Sequence, residues 1–215
     1  MTTLTKLALG LMGQLRPRPA AGDAAAQIRL PRPQRHGGMP LMAALAHRRS
    51  SREFAATPLP PQVLADLLWA ADGVNRPASG GRTAPSALDA QEIDVYVALP
   101  QGAYRYDAAA NTLELVAGAD LRRVTGYQDF VDDAPLDLVY VADHRRQRMV
   151  PAEQRGLYAA AAAGAIAQNV YLFAASAGLA TVIRAWIDRG AIADALGLDP
   201  DQQVLLSQTL GWPKR

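Results

Sequence analysis

Arg48-Arg49-Ser50-Ser51-Arg52-Glu53-Phe54 places three arginines and two serines within five residues. Guanidinium forks, hydroxyls and free backbone N–H groups together make a phosphate cradle. The stretch closes an apolar run, Met39 to Arg49, that reads as a helix with Pro40 in its first turn and Leu41, Met42 and Leu45 on one side. It opens onto a rigid connector, Thr57-Pro58-Leu59-Pro60-Pro61.

On the N-terminal side, residues 1–38 hold six basic side chains against the single acid Asp23. That segment carries +5 of a chain whose net charge is +2, so residues 39–215 carry −3. The pI near 9.1 therefore belongs to an N-terminal arm, flexible or partner-wrapping, and the acidic body argues against nucleic-acid binding. Thr2 to Leu15 has the spacing of a short amphipathic helix, ended by Arg16-Pro17-Arg18-Pro19. Lys6, the apolar residues 7–15 and Ala24-Ala25-Ala26 sketch a weak export signal. Gly10, Gly13 and Gln14 interrupt it, and a cytoplasmic chain is expected. No stretch reads as a membrane span.

On the C-terminal side, Pro61 to Ala71 reads as a helix with Val63, Leu64, Leu67, Leu68 and Ala71 on one face. Residues 73–91 read as a long polar loop, and such loops inside a compact domain are usually functional. Glu92 to Leu99 alternates as a strand, residues 103–107 and 112–116 as a hairpin, and Leu136 to Ala142 as an apolar strand. Between them, 120–125 and 127–132 read as short helical pieces, with Asp132-Asp133 a solvated pair or cap. The basic run His144–Arg148 reads as a solvated loop. Ala152 to Ala177 is the longest helix, about 39 Å. Its small-residue middle suits a central or dimer-forming helix. Ala180–Arg184, a helix capped by Asp188, and Gln203–Leu210 complete an α+β order without regular βαβ alternation.

The chain has no cysteine and three scattered histidines, which removes thiolate chemistry and argues against a histidine-rich metal site. Nucleotide fingerprints of the Gly-x-Gly-x-x-Gly and Walker types and the Gly-x-Ser-x-Gly elbow are missing. Chemistry without obvious catalytic side chains points to a cofactor.

Arg48–Phe54 resembles the opening motif of the nitroreductase family. Ala84-Pro85-Ser86-Ala87-Leu88-Asp89-Ala90-Gln91 resembles that family's Pro-Ser-x-x-Asn-x-Gln loop. Residues 164–178 resemble its central helix, and 178–188, Leu196-Gly197-Leu198 and Gly211-Trp212-Pro213 its C-terminal block. The likeness spans roughly residues 39–215 and is strongest to the SagB-type thiazole/oxazole-oxidase branch.

The resemblance implies a nitroreductase-like fold: a central mixed or antiparallel sheet flanked by helices, with the long helix at a homodimer interface. It implies two FMN groups shared between subunits. Arg48, Arg49, Ser50 and Arg52 would hold the phosphate and ribityl chain. Pro85, Ser86, Ala87 and Asp89 would reach the partner's flavin, with Asp89 replacing the usual amide donor. Gln128 would lie near the pyrimidine end, and Ile183, Arg184 and Ala185 beside N5, with the Arg184 side chain toward substrate or a nicotinamide phosphate. Lys214 and Arg215 would be late phosphate ligands. Tyr127, Phe130, Trp186 and Trp212 are candidate pocket aromatics. The implied activity is NAD(P)H-driven reduction of a nitroaromatic or quinone. Oxidation of a peptide azoline and flavin binding without turnover are the alternatives.

Overall fold

The computed structural model describes residues 1–214; Arg215 lies outside the described residues. Five helices occur in chain order: α1 (Thr3–Leu11), α2 (Leu41–His47), α3 (Pro61–Asp72), α4 (Ala152–Ala177) and α5 (Arg189–Leu196). Seven strands form the main sheet: β1 (Gln27–Arg29), β2 (Ile93–Leu99), β3 (Gly102–Asp107), β4 (Thr112–Ala117), β5 (Leu136–Asp143), β6 (Ala180–Arg184) and β7 (Gln202–Gly211). Their order across the sheet is β6-β7-β5-β2-β3-β4-β1, and every neighbouring pair is antiparallel.

The sheet is covered on both faces, and strand alternation decides which side chain goes where. Ile93, Val95, Val97 and Leu99 of β2 join Leu64, Leu67 and Leu68 of α3 and Ala159, Ala163, Ile166 and Val170 of α4 in one core. Tyr96 and Ala98 point the other way and join Leu121, Val124, Val139, Val141, Ile187, Ile192 and Leu196 in a second. Each fully buried leucine contributes about 1.5–3 kcal/mol relative to exposure. The small residues of α4 let it lie close to α2, α3 and the sheet. Gly178, with φ 70°, stops α4 in the left-handed conformation that favours glycine. The Asp188 side chain caps α5 by accepting from the Ala191 N–H.

The structure differs from the sequence reading in five places. Residues 1–38 are packed on the body: Lys6 and Leu15 are buried, β1 is an edge strand, and Arg18–Pro19 pairs with Ala119–Asp120. Charge composition could not show that these basic residues meet buried acids. Asp132 is one such acid, 4% exposed and paired with Lys6 at 2.8 Å, so it is no solvated cap. The polar loop 73–91 contains a small ribbon, Val74–Arg76 with Gly81–Arg82. Arg145 and Arg146 of the basic run are anchored to Asp143 and Asp94. Finally, α4 is long and apolar enough to cross a bilayer, yet it packs as the core helix of this domain.

Candidate functional site

The Arg48–Phe54 stretch lies extended beyond α2, and backbone hydrogen bonds fix its course. The Ser51 N–H donates to the Thr181 carbonyl of β6 at 2.9 Å. The Ala55 N–H donates to Trp212, and the Lys214 N–H returns to the Glu53 carbonyl at 3.2 Å. Phe54 and Pro213 form an isolated antiparallel bridge. The first motif and the C-terminal block, about 160 residues apart in sequence, are thus one structural unit.

Tyr171 of α4 is the pin of this unit, and sequence reasoning missed it. Its ring is 7% exposed, with the Arg48 guanidinium 5.3 Å from its centroid. Its hydroxyl accepts from the Ile183 N–H at 3.0 Å and shares a 2.8 Å hydrogen bond with the Ser50 hydroxyl. A large, polar-tipped side chain in an alanine-rich helix was the available signal. The Ile183 N–H, expected beside a flavin, is therefore already engaged.

A cleft of about 460 Å3 opens here, lined by Arg48, Arg49, Ser51, Tyr171, Thr181 and Pro213 among others. Among the described residues, Arg48, Arg49 and Arg52 make no ion pair with a carboxylate. Arg48, Arg49 and Ser51 line the cleft, whereas Arg52 is exposed outside its lining. Two unneutralised guanidinium groups and a serine suit a phosphate dianion, so the residues present fit the phosphate end of FMN. Lys214 is tied to the motif only by its backbone N–H on the Glu53 carbonyl and does not line the cleft, and Arg215 falls outside the described residues.

The second motif is elsewhere. Pro85 and Ser86 border a narrow recess with Asp72, Arg82, Glu92, Ala162 and Ile166. Ala162 and Tyr171 are about 13 Å apart along α4. The structure therefore does not bring the Pro85–Gln91 loop to the cleft of its own chain. Ser86 donates to buried Glu92 at 2.7 Å and accepts from the Gln91 N–H at 2.8 Å. Asp89 accepts from the Gln91 amide at 3.1 Å. Leu88, Asp89 and Gln91 have φ of 56°, 52° and 47°. Three left-handed non-glycine residues in one loop store strain of a kind found at functional sites. Beside this loop, burial pushes the Asp72 carboxyl up to about 7, with Arg82 only partly opposing.

Arg184 departs from expectation. Its side chain is 6% exposed and turns into the second core, where it donates to Asp137 at 2.7 Å and Thr209 at 2.6 Å. It does not face a cleft, so only its backbone, with that of Ala185, remains for ligand contact. Burial pushes the Asp137 carboxyl up and the guanidinium down from their ordinary values, each opposed by the partner's charge. Arg184 Nε and Nη1, and Gln128 Oε1, are buried without partners. Arg184 packs against the loop 126–132, where Phe130 sits 5.5 Å from Phe54 and 5.6 Å from the Arg184 guanidinium. Tyr127 packs against half-exposed Trp186 at 5.4 Å.

Comparison with known proteins supports this geometry. A crystal structure from Ralstonia eutropha JMP134, provisionally described as a nitroreductase, is 54% identical, covers 94% of this chain and 96% of its own, and superposes with a TM-score of 0.90. A Methanocaldococcus jannaschii protein with the same provisional description is 33% identical over 148 residues, 64% of this chain and 74% of its own. Two more distant structures share the fold. The NADPH:FMN oxidoreductase of Vibrio harveyi, complexed with NAD+, has 22% identity and a TM-score of 0.59, covering 81% of this chain and 69% of its own. The Escherichia coli microcin synthetase McbBCD complex has 18% identity and a TM-score of 0.68, covering 99% and 93%. The nitroreductase family model matches residues 45–212, and the chain belongs to the nitroreductase family.

Proposed function

We propose that the chain is an FMN-dependent NAD(P)H oxidoreductase that works as a homodimer and passes electrons to a small acceptor such as a nitroaromatic or a quinone. The carrying observation is the cleft where Arg48, Arg49 and Ser51 meet Thr181 and Pro213 with no acidic partner among the described residues. FMN, when bound, supplies two-electron transfer between a nicotinamide and the acceptor. The protein's part is to anchor the phosphate through Arg48, Arg49, Ser50 and Arg52, to hold β6 beside it through Tyr171, and to keep water from the ring.

A second copy completes the site in this reading. The Pro85–Gln91 loop borders the middle of α4 at Ala162 and Ile166, whereas the cradle lies at its C-terminal end. The outer face of α4 exposes Leu157, Ala160, Ala161 and Gly164. Packing two such helices together would carry each loop toward the other chain's cleft. The Vibrio harveyi likeness favours nicotinamide as the electron donor.

The test is anaerobic addition of NADH or NADPH to the FMN-loaded protein. Loss of the flavin absorbance, restored by a nitroaromatic or quinone, is expected. Flavin that stays oxidised with both nicotinamides refutes the electron-donor assignment. Dehydrogenation of a peptide-borne azoline is the second reading, favoured by the likeness to the microcin synthetase complex. It expects flavin bleaching by an azoline peptide and not by nicotinamide.

A further inference from the structure

Lys6 lies in α1, outside the residues matched by the family model, yet it is fully buried in the family domain. A long cationic side chain loses much rotamer freedom and hydration on burial, so such a position needs good partners. Lys6 Nζ donates to the Gln128 carbonyl at 2.9 Å, approaches the Gly126 carbonyl at 3.5 Å, and pairs with Asp132 at 2.8 Å. Other groups of the same segment end on the same loop. The Met1 ammonium lies 3.3 Å from Asp132, and the Thr3 hydroxyl donates to Asp129. A Cβ on Gly10 would lie 2.6 Å from the Tyr127 ring, so only glycine lets α1 approach so closely. Among the described residues, every hydrogen bond and ion pair from residues 1–11 to the rest of the body falls within 126–132.

The other side of that loop touches the candidate site. Phe130 packs on Phe54 of the arginine–serine motif and under Arg184 of β6. Gly126 lies so close to Arg184 Nη1 that a Cβ there would collide with it. Gln128, expected near the flavin, is held by its own carbonyl on Lys6.

We infer that Lys6 is a positioning residue: through three oxygens of the 126–132 loop it fixes Gln128 and Phe130 against the two segments that form the flavin site. α1 is then a strap across the site wall, and flavin geometry depends on a segment beyond the matched domain. The flavin part of this inference rests on the proposed FMN reading; the loop part does not.

The test uses the full chain with Lys6→Met, which keeps length and apolar bulk and removes the donor. Hydrogen–deuterium exchange without flavin reads the loop, and FMN titration with visible circular dichroism reads the site. Faster exchange confined to 126–132, about tenfold weaker FMN binding and an altered visible dichroism band are expected. Leu4→Ser, on the exposed side of α1, should match wild type in all three. Thr3→Ala, at a partly exposed position, should loosen Asp129 in the same direction and decides the matter if Lys6→Met does not fold. Wild-type exchange rates in Lys6→Met, or in Thr3→Ala where it stands in, overturn the inference. So does a loosened loop with unchanged FMN affinity and dichroism. Wild-type protein that takes up no FMN refutes the functional reading and the flavin part with it, while the exchange result still decides the loop part.

Discussion

Replacing Tyr171 by Phe removes one oxygen and leaves the ring under Arg48 in place. That oxygen accepts from the Ile183 N–H and is hydrogen-bonded to the Ser50 hydroxyl. The Ser50 bond is near solvent, and its loss costs about 1 kcal/mol. The Ile183 N–H is partly buried on the outer edge of β6, and leaving it without a partner costs about 1–3 kcal/mol. The sum is about 2–4 kcal/mol, which for a chain of this size lowers the melting temperature by about 5–15 °C. The assay is thermal unfolding at fixed protein concentration, since melting of the proposed homodimer would depend on concentration. Because the Arg48–ring contact survives, FMN affinity in Tyr171→Phe should fall less than tenfold. Tyr171→Ala removes ring and hydroxyl together, should cost about 3–5 kcal/mol, and should weaken FMN far more. Tyr171→Phe protein that melts within a degree of wild type would refute the role of this hydroxyl as the pin between α4, β6 and the arginine–serine stretch.

Three further outcomes are expected. Asp137→Asn leaves the buried Arg184 charge without its partner and should destabilise by about 3–5 kcal/mol in chemical denaturation, whereas Asp137→Leu with Arg184→Met should cost much less. Gly126→Ala drives a methyl into the Arg184 guanidinium and should cost about 1–3 kcal/mol in the same assay, with Gly118→Ala, where a Cβ meets nothing, as the neutral control. Asp72 has a folded pKa raised to about 7 from 3.8, so the stability it contributes as a neutral acid is complete below about pH 4 and is lost as pH rises toward 7. Asp72→Asn should therefore match wild type near pH 4 and exceed it by a few kcal/mol at pH 8; equal stability of the two across that range would refute the assignment.

Periodicity was enough for the elements that use a single repeat. The alternation of Ile93, Val95, Val97 and Leu99 and the face of Val63, Leu64, Leu67, Leu68 and Ala71 read directly as β2 and α3. Gly178 and Asp188 marked a helix end and start through local backbone and capping chemistry that needs no tertiary partner. What stayed hidden depends on contacts between distant residues. Lys6 looked like part of a basic arm because its partner Asp132 lies over a hundred residues away. Arg184 looked like a ligand-facing cation because nothing local shows that Thr209 on the adjacent strand and Asp137 on the next one wait for it. The Pro85–Gln91 loop was legible as a motif. The strain at Leu88, Asp89 and Gln91 was not, because these residue types do not favour left-handed backbone strongly enough to announce it. Tyr171 sat in plain view, but its role required knowing that β6 and the arginine–serine stretch converge on one turn of α4.

The central claim is that Arg48–Phe54 and the C-terminal block hold FMN at the cleft beside Tyr171. Its most direct test is titration of FMN into flavin-free protein, followed by quenching of flavin fluorescence, for wild type and for Arg48→Ala with Arg52→Ala. Saturation at one FMN per chain, and at least a hundredfold weaker binding in the double variant from the loss of two charge-assisted phosphate contacts, is the expected result. Wild-type protein that leaves FMN fluorescence unchanged, or a double variant that binds as tightly as wild type, would contradict it.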